Sequence, residues 1–267
     1  MNLKKIVIKS IETVFYFFDL DVSIHKISSN ISKTYIDKNI WEPFLNKKNN
    51  KFFKIYNESL FKSNSDKSNN FFKKLRFYSL FNIVDSIVKN NEYQNFLECG
   101  CWKGHSTYGI AEILRQNSFN KKFYVFDSFE GGLSNKISID SNSKRYTQNK
   151  KEINNQKDYF KSNFEEVTKL LSIFDFVEIH KGWIPGVFEN INNVKFSFIH
   201  IDLDLYQPTY DTIKFFYDSL EKDGVIICDD YNCSDFPGAK LAIDNFLKEK
   251  KYKFFYEIPL GGCIIIK

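Results

Sequence analysis

Phe96-Leu97-Glu98-Cys99-Gly100-Cys101-Trp102-Lys103-Gly104-His105-Ser106 reads as an apolar strand that runs into a glycine turn and then a helix. Gly100 lets the backbone turn sharply and come close to a ligand, and Gly104 allows close approach where the helix begins. The spacing is GxxxG with an acid two residues before the first glycine, not the GxGxxG that wraps a pyrophosphate. Such an acid suits a ligand with an ammonium group, as the methionine part of S-adenosylmethionine carries, and disfavours a diphosphate.

Outward from this turn, the chain from about 94 alternates short apolar runs with amphipathic stretches, the pattern of a βαβ sheet. Strands are expected at 95–99, 122–126, 175–180, 195–201, 224–228, 252–258 and 263–267, with helices at 105–116, 157–172, 207–220 and 238–250. The last two strands are separated only by a short Leu260-Gly261-Gly262 link, so they should form an antiparallel hairpin at one end of a mostly parallel sheet. Upstream, residues 1–90 contain no glycine and mix aromatic clusters (Phe15-Tyr16-Phe17-Phe18, Phe52-Phe53, Phe71-Phe72) with Lys, Asn and Ser. This pattern predicts a helical N-terminal extension, with an exposed loop at 63–70 and helical spacing from Arg76 to Lys89. The expected division is therefore an extension over 1–90 and a catalytic domain over 91–267.

Two further strand ends carry chemistry. Phe123-Tyr124-Val125-Phe126-Asp127-Ser128 places Asp127 at the end of the second strand, 29 residues after Glu98, where a carboxylate accepts from two ribose hydroxyls. A helix-capping Asp is the structural alternative. The segment from 128 to about 150 is polar and long enough for a lid or for a disordered loop. Farther on, Phe198-Ile199-His200-Ile201-Asp202-Leu203-Asp204 and Val225-Ile226-Ile227-Cys228-Asp229-Asp230 are apolar strands that both end in paired acids. Adjacent parallel strands would bring these carboxylates side by side, where mutual repulsion calls for a cation, and hard oxygen ligands favour Mg²⁺. His200 reads as a packed strand residue, His180 as one that lines a pocket, and Trp183 as an aromatic near the adenine or at a strand end.

The net charge of +5, from 38 basic and 33 acidic residues spread along the chain, offers no basic block for nucleic acid. Five cysteines, an odd number in 267 residues, fit a reducing compartment better than a disulfide framework, and a cytoplasmic protein is expected. Ile6 to Ile24 is apolar but broken by Lys9, Glu12, Asp19 and Asp21, which argues against a membrane span. An amphipathic helix there would suit a membrane surface or a partner subunit, including a second copy of the chain.

Taken together, FLECGCWKGHS, YVFDSFEG, HKGWIPGVF, IHIDLDLYQPTYDTIKFFYDSLEKDGVIICDDY and GAKLAIDNF, over about 95 to 250, resemble the macrocin O-methyltransferase family. Its named members methylate sugar hydroxyls on tylosin-type and mycinamicin-type macrolides. The resemblance implies a class I methyltransferase (Rossmann-like) α/β fold, S-adenosylmethionine as donor, a Mg²⁺ ion that orients the acceptor hydroxyl, and a small sugar-containing acceptor. By position, Asp202, Asp229 and Asp230 match the family's metal ligands, and Glu98, Gly100, Gly104, Ser106, Asp127, Ser128 and Trp183 fall where cofactor contacts lie. Related catechol-type enzymes keep a lysine base three residues after the first metal Asp. Leu205 stands there in this chain, which leaves Asp202 or Asp204 as the catalytic base. Three other readings compete: a phenolic acceptor in the same fold, a catalytically silent binding subunit, and a NAD-binding dehydrogenase. The last has Tyr146/Lys150 and Tyr210/Lys214 at the Tyr-xxx-Lys spacing but the wrong glycine spacing.

Overall fold

The computed structural model describes residues 50–90, 92–131, 138–142, 154–155, 158–191, 193–258 and 261–267, all within one compact unit, Phe44–Lys267. The apolar stretch Ile6 to Ile24 and the pair Tyr146/Lys150 lie outside the described residues.

The chain order of the described helices and strands is α1 (Lys51–Lys62), α2 (Phe71–Lys89), β1 (Asn95–Cys99), α3 (His105–Gln116), β2 (Phe123–Asp127), α4 (Phe164–Leu171), β3 (Val177–Lys181), β4 (Phe196–Ile201), α5 (Tyr206–Phe216), β5 (Leu220–Cys228), α6 (Pro237–Leu247), β6 (Phe254–Glu257) and β7 (Cys263–Ile266). They build a seven-stranded sheet in the order β3-β2-β1-β4-β5-β7-β6. The pairs β1–β2, β1–β4, β2–β3 and β4–β5 are parallel, whereas β5–β7 and β6–β7 are antiparallel, as the short final link required. Strand order reverses between β1 and β4, and a crevice opens at the carboxyl ends of the strands at such a reversal.

Successive side chains of a strand point to opposite faces, and both faces here are covered. Phe96, Phe123, Val125 and Phe198 join one core cluster with Phe52, Tyr56 and Phe81 of α1 and α2, while Leu97, Phe126, Ile199 and Ile226 join another with Ile213, Phe216, Ile243 and Phe246 of α5 and α6. That two-sided burial explains why the strands read as continuous apolar runs.

Several boundaries differ from expectation, two of them with a visible cause. The expected strand at 224 starts at Leu220, because Leu220 pairs with Phe196 ahead of an irregularity in β4. The Glu221-Lys222-Asp223 stretch disguised it as a loop. The expected helix at 157–172 is interrupted: 158–160 are helical, 161–163 are not, and the helix restarts at Phe164, where Asn163 caps it by accepting from the Glu166 N–H. The 63–70 loop is not uniformly exposed: Ser63 and Ser65 are buried, with a hydroxyl–hydroxyl bond of 2.9 Å between them.

Helix α3 meets α2 through a glycine. A Cβ on Gly109 would stand 2.3 Å from Phe81 Cζ, whereas one on Gly186 would meet nothing within 4 Å. Gly109→Ala should therefore cost about 1–3 kcal/mol by overpacking, read as a lower urea midpoint, while Gly186→Ala should leave the midpoint within about 0.5 kcal/mol of wild type.

Candidate active site

A cleft of about 530 Å³ opens where the sheet order reverses. One side is built by the glycine turn and the end of β2, the floor by the ends of β4 and β5, and the opposite wall by α2.

On the first side, Gly100, Ser106, Asp127, Ser128 and Trp183 all line the cleft. Gly100 takes φ +90°, and a Cβ there would stand 1.8 Å from the Asp202 carbonyl oxygen, so the turn requires glycine twice over. Asp127 holds the turn closed. Its Oδ2 accepts from the Cys101 and Trp102 N–H groups at 2.9 and 2.8 Å, and its Oδ1 accepts from Phe129 N–H at 2.8 Å. With the Cys101 thiol also bonded to it, the carboxylate is committed chiefly to holding the turn. Burial raises the Asp127 pKa, against the pull of those three N–H groups. Trp183, partly exposed at the rim, donates from Nε1 to Glu130 Oε2 at 2.9 Å.

Glu98 and Gly104 are not among the lining residues. Glu98 is fully buried: Oε2 accepts from Thr107 at 2.5 Å, and Oε1 lies 2.9 Å from His200 Nδ1 on the next strand, its register partner. One carboxylate oxygen thus ties β1 to α3 and the other ties it to β4. Gly104, at φ +81°, caps α3 in the left-handed region, beside Leu170 and Val167. His180 stacks on Phe126 with ring centroids 4.9 Å apart, and neither it nor the pair Tyr210/Lys214 lines the cleft.

Four acids form the floor: Asp202, Asp204, Asp229 and Asp230. Carboxylate oxygens of Asp202, Asp204 and Asp230 lie within 4.8 Å of one another, in reach of a single ion. The geometry thus gathers Asp204 with two of the expected metal ligands, while the third, Asp229, is salt-bridged through Oδ2 to Arg76 at 2.6 Å. Crowding shows in the acidities. Burial, followed by repulsion from Asp229, lifts Asp202 to about 6, and burial with repulsion from Asp204, Asp202 and Asp229 raises Asp230 well above the carboxylate range. Asp204 occupies the left-handed region at φ +63°, a conformation disfavoured for a residue with a side chain, and its N–H donates to Asp230 Oδ2 at 2.9 Å.

The facing wall was not legible as part of a site. From α2, Lys73, Arg76 and Phe77 line the cleft, joined by Lys67, Asn69 and Asn70 of the preceding loop. Burial lowers the Lys73 pKa to about 8, and its ammonium donates to Ser68 Oγ at 2.9 Å. His105, held near pKa 3 by burial and then by Lys73, is a neutral imidazole against Tyr56 and Phe77. The available signal was Lys73 and Arg76, two cations three residues apart on a helix whose next turns are apolar. Away from this wall, part of the 128–150 segment packs on α5, where Asp140 Oδ1 accepts from the Tyr206 N–H at the helix start.

Residues 47–255 match the family model described as Macrocin-O-methyltransferase (TylF). The chain is 25% identical over 169 residues to demethyldecarbamoylnovobiocin O-methyltransferase of Streptomyces niveus, covering 61% of this chain and 62% of that one. It is 26% identical over 153 residues to 8-demethyl-8-(2,3-dimethoxy-alpha-L-rhamnosyl)-tetracenomycin-C 4'-O-methyltransferase of Streptomyces olivaceus, covering 55% and 57%. The matches therefore span about three fifths of each relative's own length. Among solved structures, the O-methyltransferase NovP superposes with a TM-score of 0.58 at 21% identity, over 70% of this chain and 78% of that one, a likeness of fold.

Asp202 gives the floor a measurable pH response. Its folded pKa of about 6 exceeds the unfolded value of about 3.9. The stability it contributes is present in full below about pH 4 and is lost as pH rises through about 6. In chelator, the melting temperature should fall across that window, and Asp202→Asn should flatten the decline; an unchanged decline in the variant would assign it to other groups.

Proposed function

Because the chain belongs to the macrocin O-methyltransferase family, we propose that it transfers a methyl group from S-adenosylmethionine to a sugar hydroxyl, with a divalent cation held by the carboxylate floor. The observation that carries this reading is convergence: one cleft contains the glycine turn braced by Asp127 and, across from it, the cluster of Asp202, Asp204 and Asp230. The curated relatives' names specify O-methylation, one of them on a rhamnosyl-bearing product, which supports a sugar acceptor here.

The floor fits a hard cation by its chemistry, since three convergent carboxylates, two of them with raised pKa, need positive charge to stay ionised together. Asp202 and Asp230 would hold a Mg²⁺ ion, with Asp229 reaching it once exchanged from Arg76. When bound, such an ion supplies Lewis-acid polarisation of the acceptor hydroxyl. The chain's own residues do the rest. Gly100, Ser106 and Asp127 bind the donor, Ser128 and Trp183 border it at the rim, and Asp204 takes the hydroxyl proton as the carbon–oxygen bond forms and the donor's sulfur–methyl bond breaks, leaving S-adenosylhomocysteine. The left-handed backbone at Asp204, pinned through its N–H to Asp230, fixes that carboxylate's place over the floor.

In this reading the described part of the N-terminal extension, 50–90, shapes the acceptor side, and the extension is a candidate surface for self-association. Among the described residues, Asn69, Asn70, Lys73 and Arg76 already line that side. A cytoplasmic setting is consistent with five free cysteines. No described helix is long and apolar enough to cross a membrane.

The test is a mass-spectrometric screen of sugar nucleotides and glycosylated small molecules for a gain of one methyl, with S-adenosylmethionine and Mg²⁺ present. Asp204→Asn should lower kcat by about 10²-fold or more while leaving donor affinity within about twofold. Full turnover in the variant would remove Asp204 from the chemistry.

A further inference from the structure

Among the described residues, Arg76 forms an ion pair with the carboxylate floor. It comes from α2, far upstream of the acids it meets. Its Nη1 lies 2.6 Å from Asp229 Oδ2 and also donates to the Asp229 main-chain carbonyl at 3.3 Å. The side chains are only 24% and 13% exposed, so the pair is poorly screened. Asp202 and Asp230 add to the field that favours its charged form. A guanidinium does not discharge at any pH a folded protein tolerates, so this positive charge is permanent.

We propose that Arg76 is a built-in counter-cation of the floor: a positioning residue that holds Asp229 against α2 and competes with the divalent cation for the cluster's negative charge, so that it sets how tightly the cation binds. The inference rests on the metal reading above. Before a cation arrives, four acids converge at the ends of β4 and β5, and Arg76 supplies the charge that lets them lie together. A divalent ion then meets a floor already partly neutralised, and binds more weakly than it would to the acids alone. Asp229 is the hinge of that exchange, since the same carboxylate that the family pattern assigns to the ion is bonded to Arg76 here. An arginine that merely oriented Asp229 as a ligand would act in the opposite sense, and its loss would weaken the ion.

Mn²⁺ titration followed by electron paramagnetic resonance of the free ion reads the sign directly. Arg76→Met should bind Mn²⁺ roughly five- to tenfold more tightly than wild type, and Arg76→Lys, which keeps the charge, should stay within about twofold. In chelator Arg76→Met should melt below wild type, and saturating Mn²⁺ should narrow the gap. Arg76→Gln, purified with Mn²⁺ and then dialysed, gives the same readout if the Met variant does not fold in chelator. Equal or weaker Mn²⁺ binding in the charge-neutral variants overturns the inference while leaving the metal reading intact. Absence of Mn²⁺ uptake by wild type overturns the metal reading and this inference with it.

Discussion

At the end of β1 the backbone of Gly100 passes so close to the carbonyl of Asp202, at the end of β4, that no side chain fits between them. The rest of the site depends on this approach. It brings the glycine turn beside the strand end that carries the acids, at the point where the sheet reverses order. Hydrogen bonds secure it from both sides: Asp202 N–H donates to the Cys99 carbonyl, and Gly100 N–H donates to the Phe126 carbonyl. Asp127 completes the brace by accepting the next two N–H groups of the turn. The glycine turn and the acidic strand ends thus become neighbours through backbone geometry, which is the arrangement the proposed methyl transfer requires.

The second constraint is electrostatic. Asp202, Asp204, Asp229 and Asp230 share one floor, and burial makes their repulsion costly. Two kinds of cation can relieve it. Arg76 is covalently part of the chain and always available, while a divalent ion is exchangeable and brings Lewis-acid chemistry. A floor that is bearable but not fully neutralised when empty is what an exchangeable cofactor requires. Beneath it, the buried Glu98–His200 pair and Thr107 tie β1, β4 and α3 into one rigid support.

Much of this was legible in the sequence, for identifiable reasons. Both faces of the sheet are covered, so each strand announced itself as an apolar run, and each acid that lines the cleft floor stood where such a run stopped. Gly100 and the Asp127 and Asp202 strand ends were found this way. Glu98 was read as a ligand contact because it too precedes a glycine, yet strand alternation and register turn it toward His200. A clue was present: Glu98 lies two residues before Gly100 and His200 two before Asp202, the spacing of a cross-strand polar pair. Arg76, Lys73 and His105 were missed because nothing local marks them. Their role comes from α2 packing on α3 across Gly109, a contact that sequence periodicity does not encode.

The central claim is that one cleft holds both donor and cation, with the cation at the Asp202–Asp204–Asp230 cluster. A crystal structure grown with S-adenosylhomocysteine and Mn²⁺, with anomalous differences measured at the manganese edge, tests it most directly. The account predicts one anomalous peak within about 2.0–2.6 Å of Asp202 and Asp230 carboxylate oxygens, and adenosyl density against Gly100 and Asp127. A peak elsewhere, or a nucleoside bound away from the glycine turn, would contradict it.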